Sequence, residues 1–411
     1  MPAAVVCKED GKSLAEPVSL RRRLATVVAV SAGTRLILFL VMAITTPVPP
    51  AGQMPAFLRE AAALFDGSPF LERLFLPWTR WDGLWYVTVA HHGYARPWSE
   101  AFYPLYPGLM RVVSPLTGGN YVIAGILLST CFFLGAMAVL YYLVSLDFSA
   151  RVALWTTVLL AAFPTGFFFQ AVYADSLLLL LTVACVLFSR RGRWALAGST
   201  ALLAVLTRST GLVLLVPMVV FHLQQREWRW RRVDRQALWF LLPPAGMLIW
   251  ISYLWAATGD PLGSVRAESH WGRGFTVPFV TVYRGFAEAV RHFDRTVIQG
   301  GWGTAGLHDM LAAIILVACV ALLWAGWRRI PPAYTAFVVA LLVVPLCFPG
   351  AERPLFSLPR LALTAFPVFL ALALVTDGLR WQRWLRIALA VLFMAGSCWF
   401  ACEFARHVFV G

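Results

Sequence analysis

A single carboxylate stands among aromatic residues in the stretch 79–107, TRWDGLWYVTVAHHGYARPWSEAFYPLYP. Asp82 lies between Trp81 and Trp85, with Tyr86 beside them. An ionised acid in an aromatic pocket at a membrane surface can accept a proton from a sugar hydroxyl. The local alternative is structural. Thr79 to Asp82 fits the S/T-x-x-acid pattern of a capping box, with Gly93 ending the helix. The two readings are compatible, because a helix N-terminus holds a carboxylate in its charged form. Trp81 and Trp85, one turn apart, form either an interfacial aromatic belt or a platform for a sugar ring. His91 and His92 point about 100° apart on a helix. They suit a polar helix end, or one contact to a phosphate, better than a shared metal.

Further polar residues punctuate apolar runs. Asp175 follows the aromatic segment FPTGFFFQAVYA and opens SLLLLLTVACVLF. A carboxylate entering a span is a functional hypothesis by default; an N-cap is the alternative. Arg208 in LTRSTG and Arg360 in SLPRLALTAF stand at the ends of apolar runs. A guanidinium fork there suits a phosphate or a carboxylate, against simple snorkelling to the interface. Arg35, inside the first run, reads as structural pairing or snorkelling. His270 and Arg273, in SHWGRGF, would bind a phosphate or an acceptor, or else belong to a surface loop. Tyr103 in AFYPLYP joins Trp85 as an aromatic that would stack on a sugar or guide a lipid chain. No Gly-rich nucleotide cradle or Walker motif occurs, and no Ser-His-Asp elbow stands out. Direct use of ATP or a nucleotide sugar is therefore not expected. No cofactor is implied, and a divalent metal is allowed without being indicated.

The elements that position these residues follow from composition. The chain has 411 residues, 60% of them hydrophobic and 13% charged, with a mean hydropathy of +0.73. Soluble domains carry about 25% charged residues. Such a chain forms a polytopic, all-α integral membrane protein, since backbone groups in lipid must be paired internally. It is expected to make one membrane-embedded unit over 1–411. About eleven apolar runs are expected to span, namely 24–46, 120–146, 151–163, 174–188, 194–207, 211–223, 236–258, 309–327, 333–348, 360–376 and 387–407. Several are short for a straight crossing, and those meeting near Phe163 and Thr207 read as broken or re-entrant. Residues 47–119 form a long first loop with interfacial helices. The arginines at 21–23 precede a run too long for a cleavable signal and mark a signal anchor. The cysteines lie mostly in apolar runs and suit buried small residues, with no disulfide framework or zinc spacing.

The net charge is +14, carried mostly by arginine. Most of the excess reads as topology-setting loop charge, with anionic lipid or lipid phosphate at a few sites as the sharper alternative; no basic soluble domain exists to bind nucleic acid. Fifteen of the 34 Lys plus Arg fall in five short segments, at 21–23, 189–193, 225–232, 326–329 and 380–386. The positive-inside rule puts those segments in the cytoplasm. The loop holding Asp82 then faces outward, with the turns that carry Asp175, Arg208, His270 and Arg360.

These segments carry a family resemblance. RWDGLWYVTVAHHGY with AFYPLYP, FPTGFFFQAVYADSLLLLL, LTRSTGL, HWGRGF and SLPRLALTAFPVF occur in order over most of the chain. The chain resembles the PIG-V family of mannosyltransferases, in its bacterial branch. The resemblance implies a GT-C membrane glycosyltransferase that takes a sugar from a polyprenyl-phosphate donor on the outer or lumenal side. It implies that an acid of the first outward loop, here Asp82, is the base. Eukaryotic members act on GPI precursors, an acceptor that does not carry over to a bacterial-looking chain. Position 175 is Asp where the family more often has Glu. The expected reaction is mannosyl transfer with inversion to an outward-facing lipid or glycan, at the bacterial plasma membrane. Arg208 or Arg360 would steady the departing phosphate. A lipid or solute transporter, or a flippase, is the alternative; it explains intramembrane charge but not the gathering of special residues on one face.

Overall fold

The computed structural model describes residues 17–45, 54–293, 304–351, 353–406 and 408. Among them every regular element is a helix, and one isolated antiparallel bridge joins Arg273 to Gly350. α1 (Pro17–Thr45) is the first long apolar helix. The proline run expected to end it lies outside the described residues. The first loop then builds four short helices, α2 (Ala56–Ala63), α3 (Pro69–Phe75), α4 (Asp82–His92) and α5 (Leu105–Val113). Gly93, at φ 69°, terminates α4 as the sequence predicts, its N–H donating to Val89 O.

α6 (Tyr121–Ser145) starts at Asn120, whose side chain accepts from Ile123 N at 3.0 Å. α7 (Ala150–Ala162) starts at Ser149 in the same way. It stops at Phe163–Pro164, and a largely buried segment with one 3₁₀ turn at Gly166–Phe169 runs from there to α8 (Asp175–Arg190). α9 (Trp194–Thr207) ends at Arg208 and is followed by a 3₁₀ turn leading into α10 (Leu215–Gln225). The breaks expected near Phe163 and Thr207 are both present. α11 (Leu242–Thr258) is followed by α12 (Gly263–His270) and α13 (Pro278–Phe293), which lie in the second long connection. α14 (Thr304–Gly326) and α15 (Pro332–Cys347) return to the bundle.

The run 360–376 does not form the one span expected. The turn at 362–365, just ahead of Pro367, splits it between α16 (Leu358–Leu361) and α17 (Phe366–Val375). α18 (Gln382–Ala405) closes the fold.

Five described helices are long and apolar enough to cross a membrane, and the remaining apolar ones are shorter. Large apolar side chains such as Ile44, Trp324 and Leu392 lie exposed along these helices, as lipid contact requires. The non-helical stretches are tolerated because they are buried in protein, where neighbours satisfy their backbone. Arg35 illustrates this. Buried inside α1, it donates to Ala161 O at 2.7 Å and to Gly166 O at the broken end of α7. It is a structural residue.

Gly211 sets the turn after Arg208. A β-carbon there would lie 2.4 Å from Ala204 C and Val205 N in α9. Gly211→Ala should therefore force the 3₁₀ turn off α9 and cost about 1–3 kcal/mol, as overpacking does. Thermal unfolding in detergent would show a lowered midpoint; an unchanged midpoint would refute the close approach.

Candidate active site

Four charged residues from four chain segments meet at one end of the bundle. Asp82 is the first residue of α4 and Asp175 the first of α8. Both carboxylates thus sit at helix N-termini, where the dipole favours negative charge. Arg208 sits in extended backbone at the end of α9 (φ −165°, ψ 143°), and Arg360 is carried by α16. Arg360 Nε donates to both oxygens of Asp175 at 3.1 and 3.0 Å, and its Nη2 donates to Oδ2 at 2.8 Å. Its Nη1 donates to Asp82 Oδ2. Arg208 Nη1 donates to Asp175 Oδ1 at 3.3 Å. The order Asp82–Arg360–Asp175–Arg208 alternates in sign and is neutral overall.

Exposure separates the members. The Asp175 side chain is 1% exposed and Arg360 6%, whereas Asp82 is 33% and Arg208 22% exposed. Asp175, expected as a substrate contact, is enclosed by the two arginines. Arg360, expected at a donor phosphate, is engaged by both acids and lies over the Tyr173 ring at 4.4 Å. Asp82 Oδ1 and all Arg208 donors except Nη1 make no hydrogen bond among the described residues. An incoming molecule would meet these two groups.

The acid is held by a strained turn. Trp81 has φ 51° and ψ −118°, a conformation normally left to glycine at the second position of a II′ turn. Gly83 N–H closes that turn on Arg80 O at 2.9 Å. Such a residue costs of order 1–3 kcal/mol and persists only where its surroundings enforce it. Here they do. Arg80 is fully buried and donates to Leu76 O and to Ala405 O at the end of α18, both at 3.1 Å. Tyr173 OH donates to Arg80 O at 3.1 Å, and Val172 N–H to Trp78 O at 3.1 Å. The capping-box expectation for Thr79 is corrected. The N-cap position belongs to Trp81 and makes no side-chain cap, while Thr79 Oγ1 is buried without a hydrogen-bond partner among the described residues.

Tyr86, one turn after Asp82, is buried and feels all four charges. Burial pushes its phenol up, with Arg360 and Arg208 pulling the other way. Trp85 is half-buried, stacks on Phe102 at 5.6 Å and meets Trp271 edge-on at 6.0 Å. Arg273 is held by Glu268 at 3.2 Å and Ser357 at 3.0 Å, within electrostatic range of Arg208.

Other predicted residues lie apart. His91 is at the far end of α4, about 13 Å along its axis from Asp82, and packs on His92 and Tyr121. His270 stacks on Trp98 at 4.3 Å. Tyr103 packs on Trp250 at 5.4 Å rather than on Trp85, its hydroxyl donates to Met247 Sδ at 3.8 Å, and burial pushes its phenol up to about 12. Tyr173 and Arg80 were not singled out from sequence. The signal for both was position, two residues from Asp175 and from Asp82. Among the described residues no three His, Cys, Asp or Glu side chains form a metal-binding group. Arg360 supplies the two acids with the countercharge a cation would provide.

Comparison with known proteins identifies the family and the fold. The family model for Mannosyltransferase (PIG-V) matches residues 27–236. The matched stretch holds Asp82, Asp175 and Arg208, whereas Arg360 and Arg273 come from beyond it. GPI mannosyltransferase 2 of Cryptococcus neoformans var. neoformans serotype D is 29% identical over 176 residues, 40% of this chain and 41% of that relative. The match thus spans less than half of the relative's length. Two solved structures of ArnT from Cupriavidus metallidurans are similar in fold. The apo state has a TM-score of 0.51 at 16% identity, covering 94% of this chain and 78% of that one. The undecaprenyl phosphate complex has 0.50 at 17%, covering 94% and 73%. At these identities the likeness establishes the GT-C membrane fold.

The cluster predicts unequal effects on stability. Asp175→Leu leaves two arginines without their shared acid and should cost about 3–5 kcal/mol, the usual penalty for breaking a buried pair. Asp82→Asn keeps a hydrogen-bond acceptor for Arg360 at a partly open position and should cost under about 1 kcal/mol. Denaturation in detergent compares the two; equal losses would contradict the assignment of Asp175 as the hub.

Proposed function

The chain belongs to the PIG-V mannosyltransferase family, and from that premise we propose that it moves mannose from a polyprenyl-phosphate donor to a lipid or glycan acceptor, with inversion at the anomeric carbon. One observation carries the reading. Asp82 keeps Oδ2 on Arg360 and leaves Oδ1 without a hydrogen-bond partner among the described residues, on a side chain one-third exposed. That is the arrangement of an oriented, ionised base with one oxygen ready for a hydroxyl proton.

In the proposed step the acceptor hydroxyl donates its proton to Asp82 Oδ1 as its oxygen attacks the anomeric carbon. The bond from that carbon to the phosphate oxygen breaks, and polyprenyl phosphate leaves with the electron pair. Charge therefore develops on the phosphate. Arg208, with its fork largely open, is assigned to that charge, with Arg273 nearby; preorganised donors aimed at developing charge lower barriers by several kcal/mol. Arg360 and Asp175 act as positioning residues for Asp82 and Arg208. Trp85, Phe102 and Trp271 form an aromatic wall suited to a sugar or prenyl chain, with Trp81 and Tyr86 bordering Asp82. ArnT of Cupriavidus metallidurans, which shares the fold, binds undecaprenyl phosphate, and the proposed donor is of that chemical class. The arginine-rich segments at 189–193 and 225–232 favour an active site on the outer face of a bacterial plasma membrane.

The test is transfer of radiolabelled mannose from polyprenyl-phosphate-mannose to total lipid extract by the purified protein. Asp82→Asn should lower transfer by about 10²–10⁴ at unchanged protein level, and near-normal turnover would sink the base assignment. Arg208→Gln should slow transfer roughly 10²-fold and raise the donor KM. Arg208→Lys should stay impaired, since a point charge does not reproduce the fork; wild-type kinetics for both would move the phosphate contact elsewhere.

Topology is tested separately in a cysteine-free background. A cysteine introduced beside Gly93 should react with an impermeant thiol reagent applied outside, and one beside Gly192 should not. The reverse pattern would put the chemistry on the cytoplasmic face.

A further inference from the structure

The end of the bundle opposite the Asp82 cluster holds a concave site. Tyr141 marks the distance, lying on α6 about 18 Å along the helix from Ser129, whose hydroxyl donates to the backbone of Tyr173 beside the cluster. A cavity of about 560 Å³ opens here between the N-terminal ends of α1, α7 and α18 and the C-terminal end of α6. Arg23, Arg151, Arg383 and Arg386 line it, with Leu154 and Trp155 as part of its apolar wall. Among the described residues no Asp or Glu lines it.

Loop arginines that only set topology are free to pair with nearby acids or spread into water. Others at this end do pair. Arg190 holds Asp147, Arg226 holds Asp234 at 2.6 Å, and Arg232 holds Glu227 at 2.8 Å. Arg23, Arg151 and Arg383 make no ion pair among the described residues. Arg386 is different again. It is 1% exposed and fixed by Thr376 Oγ1 at 2.9 Å, Ala373 O at 2.6 Å and Asp377 at 3.0 Å, yet its Nη1 lines up with no acceptor among the described residues.

Like charges gathered around an apolar cavity repel one another unless an anion joins them, and the repulsion grows as water is excluded. The guanidinium fork matches phosphate oxygens two at a time. The cavity is far larger than a phosphate ion and has an apolar wall that a free ion would not use. Basic pockets between helices at the cytoplasmic side are suited to lipid head groups.

We propose that this cavity binds an anionic phospholipid, with its phosphate among Arg23, Arg151, Arg383 and Arg386 and an acyl chain along Leu154 and Trp155. The site is independent of the transfer reaction. A lipid held there would brace α1, α7 and α18, which carry Arg35 in the C-terminal half of α1, the break at Phe163 and Ala405 beside Arg80.

The experiment uses the full chain, purified and delipidated in neutral detergent, with the thermal midpoint as readout. Short-chain phosphatidylglycerol, phosphatidylcholine and inorganic phosphate are titrated separately. Phosphatidylglycerol should raise the midpoint saturably, and phosphatidylcholine should not. The double variant Arg151→Gln with Arg383→Gln changes two exposed, unpaired residues and should fold; it should weaken the phosphatidylglycerol effect by roughly tenfold or more. The corresponding double lysine variant should recover part of it. Equal protection by phosphatidylcholine, or full protection of the Gln variant, would overturn the proposal. Inorganic phosphate producing the whole shift would also overturn it, by showing a free-anion site instead of a lipid site.

Discussion

Charge can enter an apolar helix bundle only in compensated form, and this fold is organised around that constraint. Removing an isolated ion from water costs several kcal/mol even after relaxation. Asp175, at 1% exposure, is compensated three times over, by Arg360, by Arg208 and by the N-terminus of α8. Its two arginines are thereby fixed relative to each other. Arg360 then passes the constraint on to Asp82 through Nη1. The accessible acid and the accessible arginine are at opposite ends of one hydrogen-bonded chain, so a shift in the buried pair would move both.

The same end of the bundle gathers the chain's irregular backbone. The buried segment after α7, the turn after α9 and the stretch around α16 all interrupt helices there. Their polar groups are satisfied across segments. Thr165 Oγ1 donates to Pro359 O at 2.8 Å, and Ser176 Oγ donates to Phe169 O at 2.7 Å. Helix interiors cannot present several side chains to one point from different directions; helix ends can. The strained Trp81 belongs to this economy of placement. It turns the chain sharply enough to put Asp82 at the start of α4, and Arg80 and Tyr173 hold the turn from below.

Arginine plays three different roles in one protein, separated by what surrounds it. Arg35 and Arg80 are buried and donate to backbone carbonyls at helix ends, completing hydrogen bonds that broken helices leave open. Arg360 is buried against carboxylates and fixes geometry. Arg208 and Arg386 keep donors without an acceptor among the described residues. Composition alone counts these residues together as excess positive charge.

Several features were legible in the sequence because they depend on near neighbours. Hydropathy over twenty residues marks a membrane helix, and the apolar runs at 120–146, 194–207 and 333–348 closely match α6, α9 and α15. Pro164 and Gly211 announce breaks, Gly93 a helix end, and a lone acid before an apolar run marks Asp82 and Asp175 as helix starts. Local pattern misjudged Thr79 because a capping box presumes ordinary backbone, whereas Trp81 is held at positive φ by contacts with α18 and the segment before α8. It misjudged 360–376 because apolarity does not reveal that a turn at 362–365, between α16 and α17, divides the run. Only the tertiary structure decided which charges meet. Asp82 and Arg360 are 278 residues apart, and Asp175 and Arg360 are 185 apart. Periodicity says which residues share a helix face but carries no information about which faces come together. That depends on packing and on the pairing of buried charge, which are properties of the assembled bundle.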